Sequence, residues 1–142
     1  MPSHAVTAGF HHVALQVRDL ARAEGFYSGV LGLPVLRRWP APDGTERAIW
    51  LDLGEGTFLA LERAADDARL PVEQGFRDGH AGWHLVALEI APAARSAWEA
   101  RFELSGVPVV HRSDYTLYVR DPEGNRVGLS SYPHAAPPAP ES

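Results

Sequence analysis

The chain repeats itself once, and that repeat constrains its fold more than any other feature. Phe10-His11-His12-Val13-Ala14-Leu15-Gln16-Val17 is answered by Trp83-His84-Leu85-Val86-Ala87-Leu88-Glu89-Ile90. Gly32-Leu33-Pro34-Val35 is answered by Gly106-Val107-Pro108-Val109, and Gly56 with Thr57-Phe58-Leu59-Ala60-Leu61 by Gly124 with Asn125-Arg126-Val127-Gly128-Leu129. The separation is nearly constant and shrinks only across one loop, Pro40 to Glu46, which is longer in the first half. A repeat this long, used twice, is a supersecondary unit rather than a short-period solenoid.

Both halves carry the same pattern. Alternating Val13, Leu15, Val17 and Val86, Leu88, Ile90 read as half-buried strands. A helix follows each: Asp19 caps the first, Leu20, Ala23, Tyr27, Val30 and Leu31 form its apolar stripe, and Gly32 ends it. Ala94, Ala97, Trp98 and Phe102 form the stripe of the second, ended by Gly106. Three strands complete each half, near 34–39, 47–53 and 57–63, then 108–112, 115–120 and 126–131. Pro42-Asp43-Gly44 and Asp121-Pro122-Glu123-Gly124 supply turns between them. The expected class is α+β, two tandem βαβββ modules. Residues 9–133 form one domain, with module one about 9–63, module two about 82–133, and 134–142, rich in Pro and Ala, a flexible tail.

Composition removes several functions. There are 142 residues and no cysteine, so disulfides, thiolate metal ligands and a cysteine nucleophile are all excluded. The net charge is −5, which offers no basic face to nucleic acid. No run of about 20 apolar residues spans a bilayer, and Met1–Gly9 lacks the basic and apolar regions of a secretory signal. A cytoplasmic protein with no nucleic-acid or membrane partner is the expectation. No Ser-His-Asp signature or phosphate-cradling loop is present, and Gly54-Glu55-Gly56 is turn chemistry.

Three segments make the chain resemble the vicinal-oxygen-chelate superfamily, which includes glyoxalase I, bleomycin- and fosfomycin-resistance proteins and extradiol dioxygenases. They are His12-Val13-Ala14-Leu15-Gln16-Val17-Arg18-Asp19-Leu20, Phe26-Tyr27-Ser28-Gly29-Val30-Leu31-Gly32-Leu33-Pro34-Val35 and Arg120-Asp121-Pro122-Glu123-Gly124-Asn125-Arg126-Val127. The resemblance implies that the modules form an open eight-stranded cup with helices outside, and that small relatives pair as homodimers. It also implies a divalent metal held by His and Glu at four positions. Here those positions are filled by His12, Ala60, Leu85 and Gly128.

Leu85 rather than His84 takes the third position by register. Placing Val86, Leu88 and Ile90 against the helices sends Leu85 and Glu89 to the other face, whereas the alternative register buries the Glu89 carboxylate at a cost of several kcal/mol. A β-bulge would restore His84. A single imidazole does not hold a catalytic ion, which usually takes about three protein ligands. We therefore expect no metal and no cofactor. The same alternation turns His12, Trp50, Glu62, Tyr118 and Arg120 toward the cup, with Phe58 and Glu62 flanking Ala60. There they would bind a small, partly aromatic or cationic molecule.

Each residue also has a plainer role. His12 satisfies local hydrogen bonds, Trp50 and Tyr118 fill a core, and Glu62 and Arg120 are solvated charges. The contrasting function is a divalent-metal-dependent lyase, isomerase or dioxygenase with an atypical ligand set such as His12, Glu62 and Glu89.

Overall fold

The computed structural model describes residues 5–65 and 82–138. The far end of the tail, 139–142, and most of the stretch between the modules lie outside the described residues. The chain divides into two compact units, 1–67 and 68–142. Each contains one four-stranded mixed sheet with helical segments, so the fold is α+β with two tandem modules, and neither sheet is closed.

In the first unit β1 (His12–Val17) leads into α1 (Leu20–Glu24), followed by β2 (Val35–Pro40), β3 (Glu46–Gly54) and β4 (Thr57–Arg63). The order across the sheet is β1-β4-β3-β2, with β1 parallel to β4 and the other pairs antiparallel. Asp19 caps α1 as expected: its carboxylate accepts from the Arg22 backbone N–H at 3.0 Å.

The rest of the first helix differs from the expected regular stripe. From Gly25 to Val30 it is π-helical, with the Leu31 N–H donating to the Phe26 carbonyl at 2.9 Å. The wider turn lets the adjacent Phe26 and Tyr27 both become buried, while Val30 is exposed to a greater degree than a core position would be. The two rings meet edge to face at 4.9 Å. Leu20, Ala23, Phe26, Tyr27 and Leu31 on the helical side, with Val17, Ile49, Leu51, Leu59 and Leu61 from the strands, form the apolar core of this unit.

The second unit runs β5 (Val86–Glu89), a 3₁₀ turn (Pro92–Ala94), α2 (Arg95–Leu104), β6 (His111–Arg112), β7 (Thr116–Arg120) and β8 (Arg126–Ser130). Its sheet order, β5-β8-β7-β6, reproduces the first, with β5 parallel to β8. The strand expected at 108–112 is only two residues long. Of the expected α2 stripe only Phe102 is fully buried, and Ala97 is exposed. Leu117, Val119, Val127 and Leu129 complete the buried apolar set.

The turn before β8 is tied by Asp121, which accepts from the N–H groups of Glu123 (2.9 Å) and Asn125 (2.8 Å) and from the Asn125 side chain (2.9 Å). Gly124 closes it at φ 91°, a conformation that side chains rarely adopt.

Candidate functional site

Alternation along the strands separates two faces of each sheet. In the first unit the face opposite the helix carries His12, Ala14 and Gln16 from β1, Phe58, Ala60 and Glu62 from β4, and Ala48, Trp50 and Asp52 from β3. The pairing register fixes their neighbours. His12 stands opposite Phe58, Ala14 opposite Ala60 and Gln16 opposite Glu62. Trp50 stands opposite Ala60, and Asp52 opposite Phe58.

These residues build a continuous row of rings across the four strands. The His12 imidazole lies parallel to the Phe58 ring, 4.7 Å away at 3°. Phe58 stacks on Trp50 at 4.4 Å and 23°, and Trp50 meets Trp39 of β2 at 5.0 Å and 58°. His11 adds an edge contact to Phe58 at 5.6 Å, and its Nδ1 lies 2.8 Å from Nδ1 of His12, a hydrogen bond in which one ring donates. At the other end, the Arg37 guanidinium carbon lies 3.6 Å from the centroid of the Trp39 ring.

Of the residues expected at the site, His12 and Trp50 therefore belong to this row, both in contact with Phe58. Sequence reasoning placed Phe58 on the face without its central role, and it missed Trp39 and Arg37. Both reach the face through a β-bulge in β2. Val35 pairs with Leu51, yet Arg37 pairs with Trp50, so Leu36 is an extra residue. Without it, Arg37 and Trp39 would turn toward the helix.

Glu62 lies on the same face but away from His12. Its cross-strand neighbours are Gln16 and Ala48. The four strand steps from position 58 to 62 place it about 13 Å along the sheet from His12. His12 and Glu62 thus do not share an ion, which removes that part of the atypical ligand set.

In the second unit Tyr118 faces the same way as Gly128, which pairs with it, and its ring lies 5.4 Å from that of His111. Arg120 stands opposite Arg126 and donates to the Gly124 carbonyl at 2.7 Å, so part of its guanidinium serves the turn.

The register reasoned from Glu89 holds. Ala87 pairs with Gly128 as Ala14 pairs with Ala60, making Leu85 the counterpart of His12. A Cβ added at Gly128 would lie 3.2 Å from Thr116 Cγ2, 3.7 Å from Leu85 Cδ1 and 3.8 Å from Ala87 Cβ. Carbon atoms of Thr116, Leu85 and Ala87 thus already line the space beside Gly128. His84 is engaged elsewhere: Arg126 Nη1 donates to its Nδ1 at 2.7 Å.

The four positions therefore do not fit a divalent ion. The side chains of Ala60, Leu85 and Gly128 supply no donor atom, and Thr116 stands close to the place a side chain at 128 would enter. Among the described residues no group of three or more His, Asp or Glu is placed to hold a metal.

Charge on the first sheet is arranged by face. Arg38, one residue from Arg37, pairs with Ile49 and so points the other way. It bridges Glu24 of α1 and Glu46 of β3, the latter at 2.9 Å. The Arg38 guanidinium hydrogen-bonds Glu24 and holds its carboxyl below the usual range.

A separate groove of about 460 Å³ lies in the second unit between the start of α2, the Ser113–Asp114 turn and residues 135–138. None of the expected site residues lines it.

Comparison with known proteins agrees with this architecture. The model of the Glyoxalase/Bleomycin resistance protein/Dioxygenase superfamily matches residues 9–129, and the chain belongs to that superfamily. It is 26% identical over 124 residues to a lactoylglutathione lyase of Neisseria meningitidis, covering 82% of this chain and 85% of that protein. The structure of a lactoylglutathione lyase from Agrobacterium tumefaciens is similar at TM-score 0.65 and 26% identity, covering 89% of this chain and 95% of that one. A glyoxalase/dioxygenase from Nostoc punctiforme is similar in fold at TM-score 0.72 and 21% identity, covering 94% and 100%. Among the described residues no helix is long and apolar enough to cross a membrane.

Proposed function

We propose that this protein binds a small, planar, partly aromatic molecule against the ring-lined face of its first sheet, without the divalent ion that the family resemblance implied. The observation that carries this reading is the row His12–Phe58–Trp50–Trp39, whose Trp50 stands opposite Ala60, one of the four family ligand positions. A flat guest gains offset stacking on such rings, about 0.5–1.5 kcal/mol for each ring pair beyond burial alone. Tyr118 and Arg120 are proposed as ligand contacts on the second sheet. A homodimer is part of the proposal, since an open sheet leaves edges that need cover.

The test combines metal analysis with calorimetry. Protein incubated with zinc, nickel, manganese and iron and then desalted should retain well under one ion per chain. Naphthalene-based probes should bind, and Trp50→Ala should weaken them several-fold. About one ion per chain, bound with sub-micromolar affinity and lost in His12→Ala, would overturn the reading.

A second reading is favoured by the 26% identity to lactoylglutathione lyases: metal-dependent lyase chemistry on lactoylglutathione. It requires donors other than Ala60, Leu85 and Gly128. Turnover dependent on added cation would establish it in place of the first.

A further inference from the structure

We infer that Arg37 makes the ring-lined face selective for a carboxylate-bearing aromatic ligand, an aryl or heteroaryl acid, rather than a cationic one. The inference rests on the aromatic-face reading above and adds the sign of the ligand's charge.

Two neighbouring arginines give the first ground. Arg38, on the helix side, is neutralised by two carboxylates, Glu24 and Glu46. Arg37, turned to the ring-lined face by the β2 bulge, forms no ion pair or hydrogen bond among the described residues, only its contact with Trp39. It is exposed at the edge of the sheet.

The second ground is geometry. The guanidinium carbon lies over the Trp39 ring, 3.6 Å from its centroid, a separation that suits face-on stacking. Stacked so, a guanidinium keeps its N–H donors in its own plane for a further partner. That fork matches the two oxygens of a carboxylate, and the resulting pair is both charged and bidentate.

The carboxylates on this sheet face stand apart from it. Asp52 Oδ1 accepts from the Gly54 N–H at 2.8 Å. Glu62 lies two strands over, across Ala48 from Trp39. A cationic guest would compete with Arg37 for Trp39 and be repelled by it. An acid with its ring on Trp50 and its carboxylate at Arg37 satisfies both features.

The experiment is calorimetry of the full chain with three probes of one shape: 2-naphthoate, the neutral 2-naphthamide and 2-naphthylmethylammonium. Naphthoate should bind about five- to tenfold more tightly than the amide, and the ammonium more weakly than either. Arg37→Gln should bring naphthoate and amide within about twofold while leaving amide affinity in place. Arg38→Gln, on the opposite face, should keep the full preference. Circular dichroism of each variant verifies folding.

The inference is overturned if the ammonium binds best or if Arg37→Gln retains the preference for the acid. Amide binding that is weakened by Trp50→Ala would in that case leave the aromatic-face reading standing. Failure of all three probes to bind overturns both.

Discussion

Phe58→Ala is the most informative perturbation of the first sheet. The side chain is only 9% exposed and sits between His12 at 4.7 Å and Trp50 at 4.4 Å. Truncating a buried Phe to Ala costs about 3–5 kcal/mol. Because His12 on one side is itself exposed, the lower part of that range applies, about 3–4 kcal/mol. Phe58→Leu separates ring pairing from volume. It keeps most of the apolar bulk and loses the two stacked pairs, each worth about 0.5–1.5 kcal/mol, for an expected loss of about 1–3 kcal/mol. Equilibrium urea unfolding, followed in parallel by circular dichroism and tryptophan fluorescence, measures both values and reveals whether the two units unfold together. A Phe58→Ala loss below about 1 kcal/mol, or equal losses for the two variants, would refute a packed ring row and locate Phe58 in a loosely filled surface.

Three further outcomes are expected. Arg38→Met should cost no more than about 1 kcal/mol at neutral pH, because both partners are partly solvated. Glu24 has a folded-state pKa lowered by Arg38, so its contribution is present above the usual carboxylate range and lost as pH falls through the folded value. The variant and the parent protein should therefore converge in urea midpoint as pH falls from the ordinary glutamate range through the lowered folded-state value of Glu24. Asp121→Ala should cost about 2–4 kcal/mol by removing the hydrogen bonds to a buried carboxylate. The loss reads as a drop in thermal midpoint, and Asp121→Asn, which keeps one acceptor oxygen, should lower it less. His12→Ala should cost less than about 1 kcal/mol, since its ring is exposed and its partners are Phe58 and the equally exposed His11; a larger loss in the same urea assay would make it a core residue.

The repeat was legible because paired motifs fix two modules whatever their details, and the second-module register was legible because one residue, Glu89, made the wrong alternation costly. The π-helical turn left no such mark. Phe26 and Tyr27 are adjacent, and the 3.6-residue stripe through Leu20, Ala23, Tyr27, Val30 and Leu31 leaves Phe26 off its face. Their joint burial depends on tertiary packing against the strands. The positions lacking metal donors were equally readable as residue types, but their surroundings were not. That Leu85 and Thr116 close in on Gly128 is a fact of three strands meeting, and no single segment carries it.

The ring-lined face turns on one unpaired residue. Strict alternation through Val35-Leu36-Arg37-Arg38-Trp39, starting from Val35 opposite Leu51, sends Arg37 and Trp39 to the helix side and Arg38 to the other. That pattern buries an indole, but it buries the Arg37 guanidinium with it. The bulge at Leu36 reverses it. Arg38 then meets Glu24 of the helix and Glu46, a pairing unavailable to it in the unbulged register, while Trp39 extends the row begun by His12. Ion pairing on one face and ring contact on the other thus favour the same register. Deleting Leu36 should remove both at once, with the loss of probe binding accompanied by the loss of the acid-sensitive stability contributed by Glu24. Loss of one without the other would show that the bulge does not couple them.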